Sequence, residues 1–195
     1  SHSHVTYPAS YLVDDLICKR IVQHHGLDVL QLQNGRSNFI KKNQRKYLIK
    51  NSIKQLNKAD LSIGVSRLVL DELKEFNDYN PKSEFVLYNG VDTSKFYPIE
   101  KKKGDVFIIG CVANFWKIKD QITLIRSVKE IYLSGAKINL RLIGSGPTFN
   151  MCLDYVSKNN LNEIISFEKE IEHEKLNLFY NEIDLFVLPS YFEAL

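Results

Sequence analysis

Short apolar runs alternate along this chain with longer stretches in which apolar residues recur every three or four positions. The short runs are "DVLQLQ" (28–33), "LSIGV" (61–65), "EFVLY" (84–88), "VFIIGCV" (106–112), "NLRLIG" (139–144), "IISF" (164–167) and "DLFVL" (184–188). Several are continuously apolar instead of alternating, the pattern of strands buried on both faces of a parallel sheet. Helical periodicity covers 41–58, 67–76, 120–134, 148–160 and 173–181. Strand-then-helix alternation predicts an α/β architecture of doubly wound sheets.

The rhythm breaks once. "TSKFYPIEKKKGD" (93–105) has no period, and it holds a proline, a glycine and three consecutive lysines. It reads as a linker between two α/β units, 1–97 and 98–195, neither of which closes its pattern. Helix 41–58 carries Lys42, Lys46, Lys50, Lys54 and Lys58 at four-residue spacing, a contiguous stripe on one broad face. Tyr47, Leu48, Ile53, Leu56 and Ala59 are the candidates for its buried side. The stripe is either a solvated face or a contact for an anionic membrane surface or acceptor.

Composition narrows the classes. At 44% hydrophobic and 25% charged residues, the chain fits a soluble globular protein. No apolar run approaches the ~20 residues of a membrane span. The net charge of +3 is too small to imply a nucleic-acid partner. Three scattered cysteines with no CxxC pair suggest reduced thiols in a cytoplasmic protein, not a disulfide framework or a metal site.

Ligands of open parallel sheets bind beyond the carboxyl ends of the strands. In the second unit those ends are "ANFWKIKD" (113–120), "GSGP" (144–147), "EKEIEHE" (168–174) and "PSYFEAL" (189–195). Lys119 supplies a cation. Gly144 and Gly146 permit close backbone approach before a helix N-terminus, although such a turn can need glycine for geometry alone. Glu193 supplies a carboxylate. A cation, a glycine turn and an acid at three strand ends suit a nucleotide-like ligand.

The order and wording of "YNGVDTSKFYP", "IGCVANFWKIKDQITLIRSV", "RLIGSGP" and "DLFVLPSYFEAL" resemble the retaining glycosyltransferases of GT-B fold that use nucleotide-sugar donors. The resemblance covers nearly the whole chain. It implies two Rossmann-like domains, both incomplete here: the later part of an acceptor-side domain (1–97) and the first part of a donor-binding domain (98–195). Asn89 and Gly90 would make the turn into the linker. Lys119 matches the lysine that contacts the donor diphosphate. Asn114 stands where the family often has an arginine; it can hydrogen-bond but carries no charge. Gly144, Ser145 and Gly146 match the glycine turn near the donor, and Glu170 with Ile171 the stretch whose backbone meets the base. Glu193 matches the first of two paired acids and lies near the donor sugar. The second acid would fall beyond Leu195, so the resemblance implies a chain cut at both ends and inactive as a piece.

"SHSHVTYP" resembles the stretch where a histidine faces the donor sugar, with His4 the choice for that role and His2 a poorer one. Alternate histidines also fit a tag remnant or a metal pair, which would want a third ligand. His24 and His25 precede Gly26 and read as solvent-facing turn residues. "QLQNGRS" (31–37) occupies the place of a family histidine-glycine turn, but Asn34 precedes Gly35 and takes no catalytic role. The implied activity is transfer of a hexosyl-type sugar, with retention, to a glycan or lipid-linked acceptor in cell-surface polysaccharide or glycolipid synthesis. No Asp-x-Asp metal motif occurs, and neither a metal nor another cofactor is expected. The protein is expected in the cytoplasm, with peripheral attachment to the inner membrane face. The rival readings are an epimerase of the same fold and a catalytically inactive binding module.

Overall fold

The computed structural model describes residues 2–3, 18–25, 39–101 and 104–193, with the backbone alone at 2–3, 39–43 and 45. The chain divides into two compact units. Unit 1 holds Ser1–Gly90 with Glu193–Leu195, and unit 2 holds Val91–Phe192.

Unit 1 contains a four-stranded parallel sheet, β1 (His2–Ser3), β2 (Ile21–His24), β3 (Leu61–Gly64) and β4 (Glu84–Val86), paired in chain order. Ile21 lies opposite Leu61, and Ser62 opposite Glu84. Helix α1 (Phe39–Lys58) leads into β3, and α2 (Arg67–Lys74) follows it. Ser66 caps α2, its hydroxyl accepting from the Val69 N–H at 3.3 Å, and thereby satisfies one of the donors left open at a helix start. The apolar stripe Val69, Leu70 and Leu73 is buried, together with Ile53, Leu56 and Ala59 of α1 and the residue after it. Burying one such side chain contributes about 1.5–3 kcal/mol. Gly64 is required by that packing: a Cβ there would lie 2.6 Å from the Leu70 side chain.

Three readings of this unit change. Tyr47, expected on the buried side of α1, is 65% exposed, and Ser52 and Gln55 are buried instead. The polar buried pair shifts the helix face by one residue from the apolar pattern. The strand at 21–24 went unread because only Ile21 and Val22 in it are apolar. His24, expected to face solvent in a turn, is buried at 1% exposure on β2, and His25 just beyond it is half-buried. The strand expected at 28–33 lies outside the described residues.

Unit 2 contains the parallel sheet β5 (Phe107–Val112), β6 (Ile138–Ile143), β7 (Ile165–Glu168) and β8 (Leu185–Phe186), with spatial order β7-β6-β5-β8. Helices α3 (Gln121–Leu133), α4 (Phe149–Lys158) and α5 (Leu176–Glu182) make the crossovers. All six residues of β5 pair with β6, from Phe107 with Ile138 to Val112 with Ile143. The core joins Ile109, Cys111, Leu140 and Leu142 of the strands to Leu124, Ile125 and Val128 of α3 and Cys152 and Val156 of α4. Burial pushes the thiols of Cys111 and Cys152 up to about 11, so both stay protonated and inert.

The aperiodic stretch after Gly90 packs along α5. The Tyr97 N–H donates to Asn177 Oδ1 at 3.0 Å and the Ile99 N–H to Asn181 Oδ1 at 2.6 Å. Lys101 pairs with Asp184 at 2.7 Å. Side chains satisfying backbone donors explain how a segment without strand or helix pattern holds a fixed path.

Candidate functional site

Strand order in unit 2 reverses at β5. Chain order runs outward from β5 to β6 and β7, then returns to β8 on the other side. The carboxyl ends of the strands at such a reversal are where doubly wound sheets bind ligands.

The loop after β5 is anchored at its middle. Phe115 is fully buried, with its ring 4.9 Å from that of Phe149 in an edge-on arrangement. Its neighbours Asn114 and Trp116 are exposed in consequence, Trp116 at 55%. Gln121, at the first turn of α3, is buried and donates from Nε2 to the Asn114 carbonyl at 3.1 Å. The strand thus ends in a loop of fixed shape that presents Asn114 outward.

The glycine turn after β6 lies directly on this loop. The Ala113 N–H donates to the Ile143 carbonyl at 3.0 Å, the Phe115 N–H to Ser145 O at 2.9 Å, and the Thr148 N–H to Phe115 O at 2.9 Å. Gly144 has φ +140° and Gly146 φ +149°, both in the region that favours glycine. A Cβ on Gly144 would stand 2.1 Å from the Ala113 carbonyl oxygen, and one on Gly146 2.6 Å from that of Phe115. The close approach these glycines allow is to the neighbouring loop. Ser145 between them is exposed.

Lys119 closes a 3-10 turn, Lys117–Lys119, where its N–H donates to the Trp116 carbonyl at 2.8 Å. It is half-buried, and its charge reaches the Cys111 thiol, partly offsetting the rise that burial causes there. Asn114, Gly144, Ser145 and Gly146 are thus brought together by direct backbone bonds, with Lys119 at the end of the same loop. After β7, Glu170 is exposed, and Ile171 packs on Ile143, Phe179 and Ile183. The Gly144 N–H donates to the Glu168 carbonyl at 2.9 Å, which fixes the start of that stretch beside the glycine turn.

Three residues of the site were not read from sequence. Asp120 stands at the N-cap of α3, where an aspartate ordinarily accepts from the helix N–H groups; its side chain makes no such bond, and its backbone is left-handed at φ 47°. Tyr191, after β8, donates its N–H to the Ile118 carbonyl at 2.9 Å. The nearby Asp120 carboxylate raises its phenol above the ordinary range. Gln121 is the third. The stretch "KDQ" at a helix start signals a cap and nothing more, so only the fold reveals what these side chains hold.

Glu193 is half-buried, the last described residue, and falls within the span of unit 1. His4 lies outside the described residues, and so does the side chain of Lys42. Lys46, Lys50 and Lys54 are exposed on α1. Among the described residues no group of three His, Cys, Asp or Glu side chains could hold a metal ion.

Comparison with known proteins decides the family. The model of the glycosyl transferases group 1 family matches residues 92–195. The uncharacterized glycosyltransferase MJ1178 of Methanocaldococcus jannaschii is 30% identical over 197 residues, covering 97% of this chain and 48% of that protein. The chain belongs to the group 1 glycosyltransferases. Its fold is shared with sucrose-phosphate synthase from Thermosynechococcus elongatus, with TM-score 0.82 at 21% identity over 100% of this chain and 51% of that one. Anabaena HepE, solved in complex with UDP, gives TM-score 0.71 at 14% identity over 93% and 50% of the two chains. The group 1 chain described here thus spans about half the length of the relatives it matches. Both the family resemblance carried by the motifs and the α/β class with Rossmann-like sheets of GT-B type are borne out.

Proposed function

We propose that the protein is a retaining glycosyltransferase. It would move a hexosyl-type sugar from a nucleoside-diphosphate sugar to a glycan or lipid-linked acceptor, in cell-surface polysaccharide or glycolipid synthesis. One observation carries the reading. At the strand-order reversal of unit 2, the loop bearing Asn114 and Lys119 is bonded to the glycine turn 144–146. Family membership and the UDP complex of HepE support it.

The chemistry breaks the bond between the anomeric carbon and the diphosphate and forms one from that carbon to an acceptor oxygen. Negative charge grows on the departing diphosphate, whose oxygen takes the acceptor proton. A fixed cation aimed at growing charge is worth most in such a step. Lys119 takes that role, with Asn114 and Ser145 as neutral hydrogen-bonding groups beside it. The backbone of Glu170 and Ile171 would meet the base. His4 and Glu193 are proposed to act on the sugar. The charge is proposed to come from protein cations, without a metal ion or other cofactor.

Titration of the chain with UDP, GDP and ADP by calorimetry tests this reading. Saturable binding of at least one is expected, at one site per chain. Failure of all three to bind would remove the donor assignment. Binding without transfer or hydrolysis, in a version carrying the family's full length, would favour an inactive binding module, the reading to which the uncharged Asn114 points.

The acceptor side is proposed to include an anionic membrane surface on the cytoplasmic face. Lys46, Lys50 and Lys54 are exposed on α1, and among the described residues none of them makes an ion pair. Each basic residue near an anionic surface adds about 1 kcal/mol. No helix among the described residues is long and apolar enough to cross a membrane. Replacing Lys42, Lys46, Lys50 and Lys54 together with glutamine is expected to lower binding to phosphatidylglycerol vesicles at least tenfold in a flotation assay. Unchanged flotation would sink the membrane proposal.

A further inference from the structure

We infer that Asn89 is a site of spontaneous modification, where the Gly90 nitrogen closes a succinimide ring on the Asn89 side chain and water opens it to isoaspartate or aspartate. The reaction needs neither a sugar donor nor an acceptor, so it stands apart from the activity proposed above.

Both flanks of the pair are fixed. On one side the Leu87 N–H, just past β4, donates to the Gly64 carbonyl at 2.9 Å. On the other, the Asp92 carboxylate accepts from the Ser94 N–H and its carbonyl from those of Lys95 and Phe96. Beyond them Tyr97 and Ile99 are bonded to Asn177 and Asn181 of α5. Between the flanks, Tyr88, Asn89, Gly90 and Val91 are all exposed, and among the described residues none of the four makes a hydrogen bond. Exposed backbone without internal bonds opens most readily. The Asn89 amide therefore has nothing to hold it away from the next nitrogen, and that nitrogen has no acceptor to give up.

Gly90 brings no side chain to crowd the attack and has the widest backbone freedom of any residue. Nothing lies within 4 Å of a Cβ added there, and its φ is not in the left-handed region, so the fold does not itself demand glycine at this position. The asparagines of α5 are guarded by contrast. Asn177 Oδ1 accepts from the Tyr97 N–H. Asn181 uses both ends of its amide, Oδ1 accepting from the Ile99 N–H and Nδ2 donating to the Asn177 carbonyl at 2.7 Å. Both sit in a helix, where the backbone dihedrals are fixed.

In the first step the Gly90 nitrogen loses its proton and bonds to Asn89 Cγ. The bond from Cγ to Nδ2 breaks, and Nδ2 leaves with that proton as ammonia. Water then adds to one of the two ring carbonyls. Opening at Cγ gives aspartate. Opening at the α-carbonyl gives isoaspartate, whose main chain runs through Cβ and is one carbon longer. In sum, the amide and water become a carboxylate and ammonia. Either product places a negative charge in the stretch that joins unit 1 to the segment packed along α5.

Warm incubation of the whole chain, then tryptic digestion and mass spectrometry, tests this. Residues 83–95 form one tryptic peptide with Asn89 as its sole asparagine, and residues 176–195 carry Asn177 and Asn181 as the internal control. The chain's other such pair, Asn34-Gly35, lies outside the described residues and in a separate peptide. Peptide 83–95 is expected to convert to isoaspartyl and aspartyl forms that take up oxygen from labelled water, the former accepting a methyl group from isoaspartyl methyltransferase. Conversion is expected to quicken as pH rises, because the attacking nitrogen must shed its proton, while peptide 176–195 stays an amide. The rate in the folded chain is expected within about fivefold of that in urea, and Gly90→Ala to slow it by about tenfold or more. The thermal midpoint of that variant is expected not to fall, because nothing crowds the added methyl.

A folded chain that converts more slowly than that margin would show that the fold guards Asn89, and the inference is overturned. Persistence of the amide in peptide 83–95 overturns it as well. So does conversion to aspartate alone at an equal rate in Gly90→Ala, the mark of direct hydrolysis without the ring.

Discussion

Replacing Gly144 with alanine is expected to destabilise unit 2 by about 2–6 kcal/mol, the sum of a backbone term and a packing term. The backbone term arises because φ +140° is open to glycine and nearly closed to residues with a Cβ. It contributes roughly 1–3 kcal/mol. The packing term arises because the new methyl would stand 2.1 Å from the Ala113 carbonyl oxygen and 2.9 Å from its carbon. Those atoms are backbone, held by Gln121 and by the ladder between β5 and β6, so they cannot swing aside as a side-chain tip would. Forcing extra atoms into such a place costs roughly another 1–3 kcal/mol. Gly135→Ala is the control. It also has a positive φ, +93°, but nothing lies within 4 Å of its added Cβ, so it carries the backbone term alone. Urea unfolding of both variants reads the difference. A Gly144→Ala variant no less stable than Gly135→Ala would show that the loop after β5 yields, contrary to the packing described here.

That comparison also shows what the sequence disclosed about the site and what it withheld. "GSGP" after an apolar run announced a tight turn at a strand end, and the turn is there. What it could not show is the partner of the close approach, because the contact is between loops 30 residues apart in the chain and depends on β5 and β6 being neighbours. The same limit hid Tyr191. Its N–H joins the loop after β8 to the loop after β5 across the strand-order reversal, and nothing in "PSYFEAL" signals that bond. The architecture was far easier to read. Continuous apolar runs such as "VFIIGCV" have few alternatives to a buried parallel strand, and the period read over 67–76 contains helix α2, Arg67–Lys74. The misreadings fall where burial and polarity part company. β2 buries Gln23 and His24, and α1 buries Ser52 and Gln55 while exposing Tyr47. In those places the fold, not residue hydropathy, determines which side chains face inward.

Lys119→Ala is expected to raise the dissociation constant for a bound nucleoside diphosphate about 10- to 150-fold, since hydrogen bonds to charged groups contribute roughly 1.5–3 kcal/mol and 1.4 kcal/mol is a factor of ten. The loss is expected to be larger at low salt, where the charge is less screened. Asn114 increases the dependence on it. Where many relatives by resemblance would present an arginine, this chain offers an exposed neutral amide, and the glycine turn beside it offers dipoles but no charge. Lys117→Ala is the matched control: it removes the same charge from the same 3-10 turn, at an exposed position on the other side of Ile118. It is expected to change affinity less than about twofold, the scale of a screened surface charge. Calorimetric titration of both variants with UDP, GDP and ADP makes the comparison. Equal effects from the two lysines would mean that the anion senses only the net charge of the loop, and the specific contact assigned to Lys119 would be lost. A large effect from Lys119 alone would place the diphosphate at the end of β5, beside the glycine turn.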